Sequence, residues 1–137
     1  MVNKPLKVVL DSNILISAYV FGGKPESVLN LIISKEIKAI TSNILIAEFM
    51  DVLRKKFKVT EPDILEIQNE IEDLFEIVYP TKILNIVKDT DDNRVLEAAV
   101  EGKCEFIITG DKDLLELVKY RKIKILTAEQ FLNEISL

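Results

Sequence analysis

The sequence contains no histidine. That absence removes imidazole metal ligands, histidine general bases and every arrangement that pairs a catalytic serine or cysteine with a histidine. A single cysteine, Cys104, excludes a disulfide within the chain, and its Lys103-Cys104-Glu105 setting offers no second thiolate, so a reducing, cytoplasmic setting is expected. Long apolar runs are missing as well. The stretch from Leu6 to Leu10 is interrupted by Lys7 and ended by Asp11, far short of a signal-peptide core, and nothing approaches the roughly 20 apolar residues of a membrane span. A membrane partner is therefore not expected. Positive charge is in deficit too: 18 Lys+Arg against 23 Asp+Glu give a net charge of −5. A polyanion cannot be bound mainly by neutralising its backbone, and must be met locally or through metal.

What is present suffices for a packed fold. With 48% hydrophobic residues in 137, the chain can build a core without metal or disulfide staples, and a single domain spanning 1–137 is expected. The mean hydropathy of +0.19 is high for so small a soluble domain and predicts apolar surface shared within a homodimer.

Val8-Val9-Leu10 reads as a strand buried on both faces of a parallel sheet. After Gly22-Gly23, Val28, Leu31 and Ile32 fall at helical spacing within Pro25 to Lys35, and Lys38 to Thr41 reads as a second strand. Ser42 is placed to cap a helix running to Phe57, and Thr60 with Pro62 in the first turn starts another through Ile64, Ile67, Ile71 and Leu74. A further helix begins near Asp92 and carries Val95, Ala98, Ala99 and Gly102 on a row of small residues suited to close packing. Phe106-Ile107-Ile108 is the next buried strand, Leu114 to Lys119 a short helix and Lys122 to Leu126 an edge-like strand. Thr127 to Gln130 opens the last helix as a capping box. Strands alternating with helices predict an α/β fold with a parallel sheet covered on its faces.

The chemistry left to such a chain is carboxylate chemistry. Asp11 and Asp111 both stand where a buried strand gives way to a loop, the place where open parallel sheets bind ligands. Each can equally serve as a helix or turn cap. Asp92 precedes Val95, Leu96 and Ala99 so that, if helical, it projects from the apolar face; first-turn amides are the alternative account of it. Asp89 and Asp91 add like charge nearby, which calls for a cation. Glu48 interrupts the apolar surface formed by Ile44, Leu45 and Val52, and here a salt bridge to Arg54 or a neighbouring lysine is the simpler reading. The run Arg54-Lys55-Lys56-Phe57-Lys58 complements its helix C-terminus, with RNA contact as the sharper alternative, and Lys112 carries the same ambiguity. Four converging carboxylates without histidine or thiolate form a hard-oxygen site, suited to Mg²⁺ or Mn²⁺ and so to phosphate chemistry. Two such ions roughly 3.5 to 4 Å apart can activate water and stabilise a leaving oxygen without a protein base.

Four segments in order, Asp11-Ser12-Asn13, Glu48 in the helix opened by Ser42-Asn43, Asp91 through Ala99, and Thr109-Gly110-Asp111-Lys112-Asp113-Leu114, resemble the PIN-domain family, and within it the toxin components of prokaryotic toxin-antitoxin pairs. The resemblance extends to Ala128 through Leu132. It implies a three-layer sandwich with a parallel sheet of about five strands between helices. It also implies a metal-dependent ribonuclease with Asp11, Glu48, Asp92 and Asp111 as catalytic and metal-binding acids, Asn13 and Thr109 as polar supports and Asp113 as an accessory. Of the Asp91-Asp92 pair, Asp92 matches the family's aspartate before the small-residue helix. RNA as substrate and an antitoxin protein as partner follow from the same resemblance. Two rival readings stand beside it. One is a catalytically silent interaction module. The other is a phosphatase with Asp11 as nucleophile, against which Asn13 stands where a second aspartate would act as general acid.

Overall fold

The first apolar run forms β1 (Leu6–Leu10), whose Val8, Val9 and Leu10 are essentially inaccessible. In the computed structural model, which describes residues 4–136, β1 lies in the interior of a sheet ordered β3-β2-β1-β4-β6-β5. Its flanking strands are β2 (Ile37–Ser42) and β4 (Phe106–Ile108), and β3 (Phe75–Val78) and β6 (Ile123–Leu126) extend the parallel array on either side. The two residues of β5 (Lys119–Tyr120) close one edge antiparallel to β6.

The alternating faces of the strands sort the core into two halves. Val8, Leu10, Ala39, Phe106 and Ile108 pack with α1 (Ser12–Val20), α2 (Gly23–Ile33), α3 (Asn43–Lys55), α4 (Glu61–Leu74) and α7 (Ala128–Ile135). Val9, Ile40, Ile107 and Ile125 pack on the other side with α5 (Thr90–Glu101) and α6 (Lys112–Leu117). Helices thus cover both faces, the arrangement that a parallel sheet requires. The small-residue row does what its sequence predicts: a Cβ at Gly102 would come within 2.6 Å of Ile40 Cγ2, so α5 meets β2 at a distance that only glycine permits.

The sheet has six strands, not five. The two that residue patterns did not mark have clear reasons for escaping. Ile71, Leu74, Phe75 and Val78 continue the three- and four-residue spacing of α4, so the apolar pattern runs through the helix-to-strand junction without a break. β5 is too short to show any period, and it leaves β6, read as an edge strand, with a small neighbour. The helix α1 was likewise unmarked. Ile14, Leu15, Ile16 and Ala18 are all buried against α2, α3 and β1, so it is apolar on nearly every side and shows no amphipathic stripe.

Candidate functional site

β1 and β4 are hydrogen-bonded neighbours, and the chain leaves β1 toward β2 on one side while β4 is added on the other. Their carboxyl ends therefore define the switch point of the sheet, where a crevice is expected. Asp11 follows β1 and is 6% exposed. Thr109 follows β4 fully buried; its hydroxyl donates to Asp11 Oδ2 at 2.8 Å and accepts the Asp111 amide at 3.0 Å, tying the two strand ends together. Asp111 Oδ1 accepts the amides of Asp113 and Leu114 at 2.9 and 3.2 Å, so that one oxygen starts α6. Its role as a cap is thus observed, and it leaves the other oxygen free of the helix.

The remaining acids arrive from helices on opposite faces. α5 is capped by Asp89, which accepts the Asp91 amide at 2.8 Å. Asp92 is released from that task, lies 6% exposed, and its Oδ2 is buried with no hydrogen-bond partner. One carboxylate oxygen each of Asp92, Asp111 and Asp113 lies within 4.8 Å of the others, although Asp113 itself is exposed. Glu48 projects from α3 and accepts the Ser12 hydroxyl at 2.9 Å. The salt bridge considered for it does not form: Arg54 pairs with Glu61 and Asp51, and Lys55 approaches only Asp51. Among the described residues, none of Asp11, Glu48, Asp92, Asp111 or Asp113 joins an ion pair with lysine or arginine.

Burial and like charge together raise three carboxyls of the cluster. Burial, followed by contact with and repulsion from Asp111 and by Asp89 and Asp11, pushes the Asp92 carboxyl up to about 7. Burial also raises Asp11, with Asp111 adding to it and the Thr109 hydrogen bond opposing. Glu48 is raised by burial too, then by Asp91, Asp11 and Asp89, against the pull of Ser12. These mutual influences place Asp11, Glu48, Asp92 and Asp111 in one electrostatic neighbourhood, while Asp11 and Glu48 stand outside the tight group of three. The donor set fits a hard divalent cation. It offers only oxygens, carries excess negative charge, and holds a buried oxygen that no protein group satisfies.

Some contributors were not singled out from sequence. Ser12 bridges toward Glu48, yet as the residue after Asp11 it carries no periodic signal. Asn93, 2% exposed, accepts the Ile86 and Val87 amides at 2.9 and 3.0 Å and donates to the Val87 carbonyl, pinning the segment that leads into α5. Glu97, also buried, accepts the Leu84 amide at 2.8 Å and pairs with Arg94 at 3.0 Å. Asn13, by contrast, is exposed and makes no side-chain hydrogen bond among the described residues.

A family model described as PIN domain matches residues 7–113. An uncharacterized protein of Methanocaldococcus jannaschii is 34% identical over 142 residues, covering 94% of this chain and 91% of its own length. Among solved structures, VapBC2 from Rickettsia felis, bound to a DNA fragment from its promoter, shares the fold with a TM-score of 0.61 at 12% identity, over 88% of this chain and 98% of that one. PAE2754 from Pyrobaculum aerophilum does so with a TM-score of 0.56 at 15% identity, over 95% of this chain and 88% of that one.

Proposed function

Since the chain belongs to the PIN-domain family, whose members are generally nucleases, we propose that it is a divalent-metal-dependent endoribonuclease acting as one domain over residues 1–137. The observation that carries the reading is the meeting of Asp92, Asp111 and Asp113 beside Asp11 and Glu48, with an Asp92 oxygen buried and unpaired. Asp11, Glu48, Asp92 and Asp111 are the residues that hold Mg²⁺ or Mn²⁺ in this proposal, with Asp113 at the rim. A bound cation of this class supplies charge that polarises a phosphodiester and acidifies an attacking water.

The protein's own part is orientation. Thr109 fixes the Asp11 carboxylate from the β4 side, and Ser12 fixes Glu48 from the start of α1, so two acids on different elements face one crevice. Asp92, raised by burial and then by Asp111 and its acidic neighbours, takes up a proton easily without a cation and gives it up when a positive charge arrives to offset the cost of the buried carboxylate. Asn13, exposed at the start of α1, keeps its place in this proposal as a polar support that orients ligand or water.

The same reading takes the chain as the toxin of a toxin-antitoxin pair, whose antitoxin covers the acidic crevice; the fold shared with VapBC2 supports it. It also includes a homodimer, supported by the exposure of Phe21, Leu65, Ile83 and Val118 and decided by light scattering of the purified protein. No helix of the described residues is long and apolar enough to cross a membrane. The activity is tested by incubating a labelled mixed-sequence RNA with Mn²⁺, with Mg²⁺ and with chelator, using Asp11→Asn prepared identically. Metal-dependent cleavage lost in Asp11→Asn is expected. Equal cleavage by both proteins, or metal binding without cleavage of any RNA, would return the chain to the silent interaction module.

A further inference from the structure

We propose that one face of α3 is the track on which a single-stranded RNA leaves the acidic crevice, with Lys55 and Lys56 as its phosphate contacts. This rests on the nuclease reading above and specifies how that site holds its substrate. A groove of about 430 Å³ opens beside Glu48 and Asp91 and runs along α3 past Ile44 and Val52 to Lys55 and Lys56. Residues 44, 48, 52 and 55 recur at helical spacing, so they form a continuous stripe. From Glu48 to Lys55 the helix rises about 10 Å, a reach of a few nucleotides. The volume lies within the ~300–1,000 Å³ of sites that enclose ligands of nucleotide size.

Charge assigns the occupant. The protein carries −5, and the crevice repels a phosphate backbone, so a strand needs cations at fixed places next to the acids. The basic run of α3 divides in a way that supplies them. Arg54 is turned aside and held by Glu61, with Nε 3.1 Å from both carboxylate oxygens. Lys55 and Lys56 line the groove beside the exposed Asp51. The only ion pair of Lys55 among the described residues is an exposed contact with Asp51 at 3.9 Å, which a phosphate can replace at little cost, and Lys56 has none. Val52 lies between Glu48 and the lysines, and Ile44, 44% exposed, lies one turn before Glu48; together they give an aliphatic floor that an unstacked base can cover but a duplex keeps from reaching.

The test uses the full chain with Asp11→Asn, so that RNA is bound and not cut, in Mn²⁺, with a fluorescein-labelled mixed-sequence single-stranded RNA followed by anisotropy over a salt series. Adding Lys55→Ala with Lys56→Ala is expected to weaken binding and to reduce the slope of log affinity against log salt by about 1.4, two contacts at ~0.7 each. Lys119→Ala with Lys122→Ala, the same charge change at the β5–β6 turn, is expected to leave the slope unmoved. In the cleaving enzyme the α3 pair raises KM and spares kcat. An unmoved slope in the α3 pair, or an equal fall in the control pair, overturns the track while Asp11-dependent cleavage leaves the nuclease standing. A chain that neither cleaves nor binds RNA overturns both.

Discussion

Replacing Asp92 by asparagine should stabilise the metal-free protein and abolish its response to metal. The side chain keeps its volume, so the packing of α5 on the sheet is undisturbed. What changes is charge. The carboxyl is raised from 3.8 to about 7, so the folded state holds this proton more tightly than the unfolded chain. For an acid with that sign of shift, stability is highest below pH 3.8 and falls as pH climbs to about 7, where the charged form is fully penalised. At 1.36 kcal/mol per unit the unscreened figure is roughly 4 kcal/mol. Water reaches the cluster past exposed Asp91 and Asp113, and screening reduces the expected effect to about 1–2 kcal/mol. Asp11 and Glu48 shift in the same direction, so they add to the decline of the wild-type profile as pH rises above their ordinary range. In chelator near about pH 8, Asp92→Asn should therefore unfold several degrees above wild type. In excess Mn²⁺ the order should invert, because wild type gains about 2.7 kcal/mol at a hundredfold excess over its Kd while the variant lacks a charged ligand. Urea or thermal unfolding at both ends of the pH range, with and without metal, reads all of this. A variant no more stable than wild type in chelator, or a wild-type profile flat between pH 4 and 7, would refute the reasoning.

Two further substitutions probe the supports. Thr109→Val keeps the shape of the side chain but leaves Asp11 Oδ2 and the Asp111 amide without their partner; it should cost about 1–3 kcal/mol in urea unfolding and weaken Mn²⁺ binding by calorimetry. Asn93→Ala removes three hydrogen bonds to the segment before α5, and hydrogen exchange should show the Ile86 and Val87 amides losing protection while those of β1 keep it.

How far the sequence discloses this molecule depends on whether a residue's role leaves a trace in pattern. Strands β1 and β4 are legible because burial on both faces demands apolar runs such as Val8-Val9-Leu10 and Phe106-Ile107-Ile108, while β2 and β6 are legible as short apolar stretches broken only by the exposed Lys38 and Lys124. α1 is hidden because a helix wrapped on nearly all sides loses the polar stripe that gives period its contrast, and β3 is hidden because its apolar residues stay in phase with α4. Among the site residues, Asp92 and Glu48 are conspicuous as charges set into apolar helical faces. Ser12 and Asn93 are not, since each is an ordinary polar residue whose partner lies 36 and 6 or 7 positions away. Even the conspicuous acids left two accounts open. Only coordinates show that Asp111 does cap its helix with one oxygen, that Asp92 does not cap its own, and that Arg54 is engaged with Glu61 and not with Glu48.

That division of labour explains how a fold tolerates acids packed against one another. A helix start normally satisfies its free amides with the nearest aspartate, and an aspartate so used is neutralised by the helix. Here α5 takes Asp89 for the task and leaves one oxygen of Asp92 buried without a partner. α1 begins at Asp11, yet that carboxylate forms no cap and is held across the sheet by Thr109. α6 uses a single oxygen of Asp111. At each element the folding requirement is met by a neighbouring group or by half of the carboxylate, and negative charge is left facing the crevice. The resulting repulsion is a cost of folding that a cation removes. In the proposed metal site, stability and occupancy of the crevice are therefore coupled, and a substitution that relieves the repulsion should impair metal binding.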